Sequence, residues 1–305
     1  MNTPETQAPS RARDWKKRKR RFGDRRDGRR VRTLAPYFCI SPYIMVERND
    51  ASNFIRDSFD IAAVEQYVRE KKAQGYRNFG IMHVLIAAYV RLCARRPRLN
   101  RFLSGQKVYF RNEIIVNLAV KPEMSENSTD TVIKMHLHPG DTAVEVYETV
   151  METLEEALGA EENPFDAVAR VLTYIPGVVK KFVVWLLKLL DYFGLLPKAL
   201  TDVSPFHGSM FITSMGSLGI PPIYHHLYNF GNVPVFLSFG KKETRYAVQS
   251  DGSVKKQRYI DYALVVDERI CDGFYYASAL KMFKKILENP WVLDEELSEI
   301  VEDQD

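Results

Sequence analysis

The chain has 305 residues, 46% hydrophobic, 12% aromatic and 27% charged, which excludes wholesale disorder and collagen-like repeats and leaves ample chain for a core. Length alone suggests about two ordinary domains or one large one. The formal charge of +4 divides unevenly: residues 1–32 hold 13 Lys/Arg against 4 Asp/Glu, a formal +9, so the remainder carries −5.

Cys39, Cys93 and Cys271 are far apart and form no CxxC pair, which argues against a disulfide framework or zinc ribbon and for a reducing compartment. There is no apolar leader and no run of about 18 uncharged apolar residues. The expectation is a cytoplasmic protein without integral membrane association.

Residues 1–10 are polar and read as disordered. Residues 11–32 are dominated by Arg and Lys. One reading is contact with RNA or another polyanion through this basic arm. The other, preferred because Trp15 and Phe22 are its only aromatics, is a solvated arm that packs against the acidic body.

Helical periodicity begins near Asp60, with Ile61, Val64, Tyr67 and Val68 on one stripe, and ends near Gly75. A second helix, about Ile81 to Arg96, is apolar over most of its circumference and predicts a buried central element. Lys107 to Lys121 predicts two short strands broken near Asn112, and Thr131 to His138 a third. Asp141 is placed to cap a helix running to about Leu158.

Asn163 to Pro197 predicts a hydrophobic helical insertion. Within it, Val178 to Phe193 is apolar except for Lys180, Lys181, Lys188 and Asp191, which share about 100° of helical arc. Packing against the body or a neighbouring subunit is the first reading and a lid over an apolar substrate channel the second; a membrane surface remains open. Strands resume at Ser209 to Ser214 and Pro234 to Gly240. Asp251-Gly252 then separates alternating runs, Thr244 to Val248 and Val254 to Val266, as a hairpin turn does. Asp272-Gly273 opens a last helix to about Glu288, and an acidic tail follows. Helices and strands alternate irregularly, an α/β pattern with a mixed sheet, and no glycine-rich phosphate loop follows a first strand.

Asp267-Glu268-Arg269-Ile270-Cys271-Asp272-Gly273-Phe274 resembles the H-x-x-x-D-G signature of chloramphenicol acetyltransferases and of dihydrolipoyl acyltransferase catalytic cores, the 2-oxoacid dehydrogenase acyltransferases. Phe211-Ile212-Thr213-Ser214-Met215-Gly216-Ser217-Leu218-Gly219 is similar to the strand and turn that carries T-I-S-N and two glycines in those cores. Gly80 to Asn100 and Lys107 to Val120 resemble the family's buried helix, its Pro-x-x-Asn exit and the strands after it. Glutamate in place of the histidine is similar to a free-standing bacterial group of such proteins.

The resemblance implies a chloramphenicol-acetyltransferase-like mixed sheet with packed helices over residues 33–292, the insertion at about 163–197, and an acidic tail at 293–305. It implies coenzyme A or acyl-CoA as substrate, an acceptor thiol or hydroxyl of unknown identity, and a homotrimer with active sites between subunits. No lipoyl-carrying segment is expected in the 60 residues before the resemblance starts.

At both chemical positions the sequence departs from the pattern. Glu268 replaces the general-base histidine and Phe211 the oxyanion hydroxyl, so the activity is read as either altered or lost. An ordinary glutamate is a weak match to a thiol or alcohol proton, although burial raises carboxylate pKa values. Candidate site residues are therefore Glu268, Asp272, Thr213, His225 and His226, either loop histidine standing in as base. Asp272 would be at home as a helix cap. His83 reads as a satisfied core residue, His136 and His138 lack a third ligand for zinc, and Cys271 reads as a buried filler. No metal is expected.

Overall fold

The computed structural model describes residues 19–120, 131–159, 167, 170, 172–248 and 251–303. Among the described residues the strands are β1 (Gly28–Arg30), β2 (Ser52–Asp60), β3 (Arg101–Ser104), β4 (Lys107–Arg111), β5 (Ile114–Val120), β6 (Thr131–Leu137), β7 (Met210–Ser214), β8 (Val235–Val248) and β9 (Val254–Asp267). Among the described residues the α-helices are α1 (Pro36–Ile44), α2 (Ala62–Ala73), α3 (Ile81–Arg95), α4 (Ala143–Gly159), α5 (Gly177–Tyr192), α6 (Lys198–Val203) and α7 (Gly273–Glu288).

Six strands form a mixed sheet in the order β2-β9-β8-β7-β5-β6, parallel at β5/β7 and β7/β8 and antiparallel elsewhere. A smaller antiparallel sheet has the order β1-β4-β3. The α/β class and the mixed sheet are as expected. The two runs predicted on either side of Gly240 are one strand, β8, interrupted by a register shift between Phe239 and Lys242. Asp251-Gly252 turns it back onto β9, with Gly252 at φ +80°, a conformation that glycine adopts without cost.

Alternation sorts the strands into two faces. Val116, Leu118, Met210, Ile212, Val235, Leu237 and Val266 join α2, α3, α4 and α7 in the main core. Phe211, Phe236 and Val265, one residue out of phase, form a second cluster with Leu227 and Val233 on the opposite face. α3 is the central element, with twelve of its fifteen residues buried. Its start is closed by Gly80 N–H donating to His83 Nδ1 at 3.0 Å, while Phe79 stacks on the imidazole at 5.3 Å.

Burial pushes the His83 imidazole down to about 4. Between about pH 4 and 6.5 the unfolded chain therefore binds more protons than the folded one at this site, and stability rises with pH. The contribution, on the order of 3 kcal/mol, is complete above pH 6.5 and lost as pH falls through 4. His83→Gln should flatten that part of the pH dependence of urea unfolding; an unchanged slope would remove His83 from the account.

α4 is capped differently from the expectation. Thr142 Oγ1 accepts from Glu145 N–H at 3.4 Å and Glu145 Oε2 accepts from Thr142 N–H at 2.8 Å, a reciprocal capping box. Asp141 instead accepts from His138 N–H in the preceding turn. At the N-terminal side, Gly28–Arg30 is a strand paired to β4 and Val31 is in the core. At the C-terminal side, Asp303 pairs with Arg101 at 2.6 and 2.7 Å, and Val301 N–H donates to Ala94 O at 2.9 Å.

α5 lies the other way round from an ordinary surface helix. Lys180, Val183, Leu187 and Leu190 are half-buried toward the body and Asp191 is buried, while most of the other apolar side chains point outward. Of the packing expected first, against the body or a neighbouring subunit, the contact with this chain's body covers only the inner stripe.

Candidate active site on the second face of the sheet

The strand registers place Lys134, Asn117, Phe211, Phe236, Val265 and Phe54 in one row across all six strands. The row is on the face opposite the helices. The Phe236 ring stacks on Phe211 at 4.7 Å and on His225 at 4.2 Å, with interplanar angles of 14° and 11°. Phe54 meets Tyr224 edge-on at 5.5 Å. The segment 221–228 therefore arches over this row.

Two close backbone approaches fix the arch. A Cβ on Gly240 would stand 2.5 Å from Pro222 Cδ, and one on Gly216 would stand 2.6 Å from Gly240 O. Ser238 Oγ accepts from Ile223 N–H at 3.3 Å. Thr213 is buried one row further along, opposite Ser238 and on the same face as Phe211, about 6–7 Å away along the strand. Phe211 thus fills its position with an aromatic stack, and Thr213 and Ser238 are the hydroxyl residues of the next row.

His225 is half-buried, and burial lowers its pKa below the ordinary histidine value. Its Nε2 is buried and takes no hydrogen bond. His226 is exposed and meets Tyr228 edge-on at 4.8 Å. The structure therefore separates the two loop histidines, setting one over the row and the other at the surface.

Glu268 follows the last residue of β9, and its N–H donates to Ala51 O at 2.9 Å. Among the described residues its half-buried carboxylate makes no hydrogen bond or ion pair with Thr213, His225 or any other group. Arg269 points elsewhere, making paired bonds to Asp267 at 2.8 and 2.7 Å. Asp272 caps α7, accepting from Tyr275 N–H at 2.8 Å, and lies 3.6 Å from Arg98 Nη1. Asp272→Ala should cost about 1 kcal/mol through loss of this cap, measured by thermal unfolding. A negligible loss would show that Arg98 and the cap contribute nothing.

Cys271 is buried in the main core, and burial pushes its thiol up to about 12, so it is no nucleophile at neutral pH. His136 pairs with Glu113 at 3.0 Å. His207 is buried, with Nδ1 at 2.9 Å from Ser204 Oγ and Nε2 at 3.7 Å from Asp191, so it anchors α5.

Two features had no sequence signal. Asp267, fully buried, holds Arg269 and also Arg48, whose Nε is 3.5 Å from its Oδ2. Lys134 ends the row, its Nζ donating to Thr201 O and Ser204 O, and burial pulls its pKa down to about 7. Arg48 is distant in the chain from Asp267, and Thr201 and Ser204 are distant from Lys134.

Residues 201–294 match the family of 2-oxoacid dehydrogenases acyltransferase catalytic domains. Thr213, His225, His226, Glu268 and Asp272 all lie within that segment. No curated protein matches the chain by sequence. Among solved structures, a probable dihydrolipoamide acetyltransferase from Listeria monocytogenes aligns with TM-score 0.53 and 16% identity, covering 87% of this chain and 92% of that one. The cubic core of a pyruvate dehydrogenase multienzyme complex aligns with TM-score 0.52 and 14% identity over 79% and 83% of the two chains. The dihydrolipoamide acetyltransferase of Azotobacter vinelandii gives 0.51 and 14% over the same shares. The fold expected from the strand-and-turn motifs is the fold of these cores. The chain thus resembles the 2-oxoacid dehydrogenase acyltransferase catalytic domains in sequence over residues 201–294, and it shares the fold of these cores.

Proposed function

We propose that the protein takes an acyl-CoA as substrate and moves the acyl group to an acceptor thiol or hydroxyl on the second face of the sheet. The observation that carries this reading is the placement of His225 on Phe236, beside the position where the family has its oxyanion hydroxyl. Burial keeps the imidazole neutral at neutral pH, and its unpartnered Nε2 can accept the acceptor's proton. The acceptor oxygen or sulfur then bonds to the acyl carbon, the carbon–sulfur bond breaks, and the CoA thiolate leaves and is protonated. Thr213 or Ser238 is the hydroxyl available to the oxyanion, in a position displaced from that of Phe211.

Glu268, without a partner among the described residues, is free to face a neighbouring copy, and a homotrimer is the assembly in which it does so. The test is release of free CoA thiol from a panel of acyl-CoAs with thiol and hydroxyl acceptors. His225 must be deprotonated, so the rate should be level above about pH 6.5 and fall in acid below it. An acid limb centred above pH 7 would assign the base to another group.

A second reading, that of a non-catalytic acyl-CoA-binding or assembly protein, draws on Phe211, which removes the hydroxyl from its expected place. It predicts CoA binding without thiol release. Contact of the basic residues 1–32 with a polyanion predicts salt-sensitive binding that deletion abolishes.

A further inference from the structure

α5 carries its most apolar stripe on the side facing away from the body. Val178, Phe182, Trp185 and Leu189 recur at four-, three- and four-residue steps, within about 60° of arc. They are 84, 57, 54 and 37% exposed, and Phe182 stacks on Trp185 at 5.7 Å. Lys181 and Lys188, both exposed, lie one above the other along one edge of that stripe.

The C-terminal end of the helix is held down firmly. Asp191 pairs with Arg25 at 2.8 Å, and Ser104 Oγ donates to Asp191 O at 3.0 Å. The Arg25 contact brings a second feature to the same place. Lys19, Arg20, Arg21 and Arg26 are exposed and lie within six residues of Arg25 in the chain. An outward apolar stripe with aromatic side chains, flanked by lysines and adjoined by exposed arginines, is complementary to a surface both apolar and negative. A second copy of the same face would oppose lysine to lysine. Among the described residues no helix is long and apolar enough to cross a membrane, and α5, about 24 Å long, would lie along a surface.

From this juxtaposition we infer that α5 and the adjoining basic segment dock the protein onto anionic phospholipid bilayers. Phe182 and Trp185 enter the headgroup boundary, and Lys181 and Lys188 extend their ammonium groups to lipid phosphates. The inference is independent of the acyl-transfer reading.

The test is co-sedimentation of the full chain with vesicles of phosphatidylcholine alone and of phosphatidylcholine mixed with phosphatidylglycerol. Binding should require phosphatidylglycerol and weaken as salt is raised. Phe182→Ser with Trp185→Ser should weaken it about tenfold or more, and Lys181→Glu with Lys188→Glu, which leaves the apolar stripe intact, should do the same. Melting temperature and sedimentation coefficient should be unchanged in both. The inference is overturned by any of four results: no binding to anionic vesicles, equal binding to neutral ones, binding unaffected by either variant, or dissociation of an oligomer by Phe182→Ser with Trp185→Ser. The last would give the stripe to a second copy. Capture of RNA without capture of vesicles is one form of the first result.

Discussion

Asp267→Ala should destabilise the folded chain by about 3–5 kcal/mol, the largest effect expected of any single substitution considered. Asp267 is fully buried at the end of β9, and its two oxygens hold Arg269 in a paired contact while Oδ2 also faces Arg48. Arg48 and Arg269 are themselves 7% and 4% exposed. Truncating the carboxylate leaves two guanidinium charges out of water with one counter-charge removed, which costs far more than the pair contributes in isolation. Burial already lowers the pKa of Arg48 against the opposing pull of Asp267. The effect is measured by urea unfolding. A loss below about 1 kcal/mol would mean that the carbonyl oxygens of Met45 and Val46, which also accept from Arg269, suffice to hold it. Glu268 and Asp272 follow directly on this segment.

The second large effect concerns activity. His225→Ala should lower the rate of acyl transfer about 10²–10⁴-fold, the range for removing a general base, and leave CoA binding intact. The side chain is half-buried and stacks on Phe236 without a hydrogen bond from Nε2, so truncation leaves no orphaned partner there. Glu268→Gln in the same assay should change the rate by less, about tenfold at most. The reverse order, with Glu268→Gln abolishing turnover and His225→Ala nearly silent, would assign the base to the carboxylate at the family's histidine position.

What could be seen in the sequence follows from how local each signal is. The buried helix α3, the β4–β5 break near Asn112, the hairpin at Asp251-Gly252 and the Asp272 cap are set by residues a few positions apart, and each was legible. The α4 cap was misplaced by one residue because Asp141 and Thr142 are both good caps. Only the Glu145 three positions after Thr142 distinguishes them. The fusion of two predicted strands into β8 turns on a bulge at Gly240, whose need for glycine comes from Pro222 pressing on it.

The candidate site was legible only as a list. The sequence offers Thr213, His225, His226, Glu268 and Asp272 as candidates, but which of them share a face depends on strand order and register, and these join residues far apart in the chain. The row from Lys134 to Phe54 is such a product, as is the division between a stacked His225 and an exposed His226. The outward stripe of α5 was likewise hidden: its composition fits burial, and the direction of its inner face is decided by Asp191 meeting Arg25 and His207.

A structure of the protein with coenzyme A bound tests the central claim most directly. The CoA sulfur should lie on the second face of the six-stranded sheet, against the Phe211–Phe236 row, with His225 Nε2 at about 2.6–3.2 Å from the acceptor atom in a complex that includes it. A sulfur lodged elsewhere, or His225 turned away with its Nε2 bonded to backbone, would contradict it.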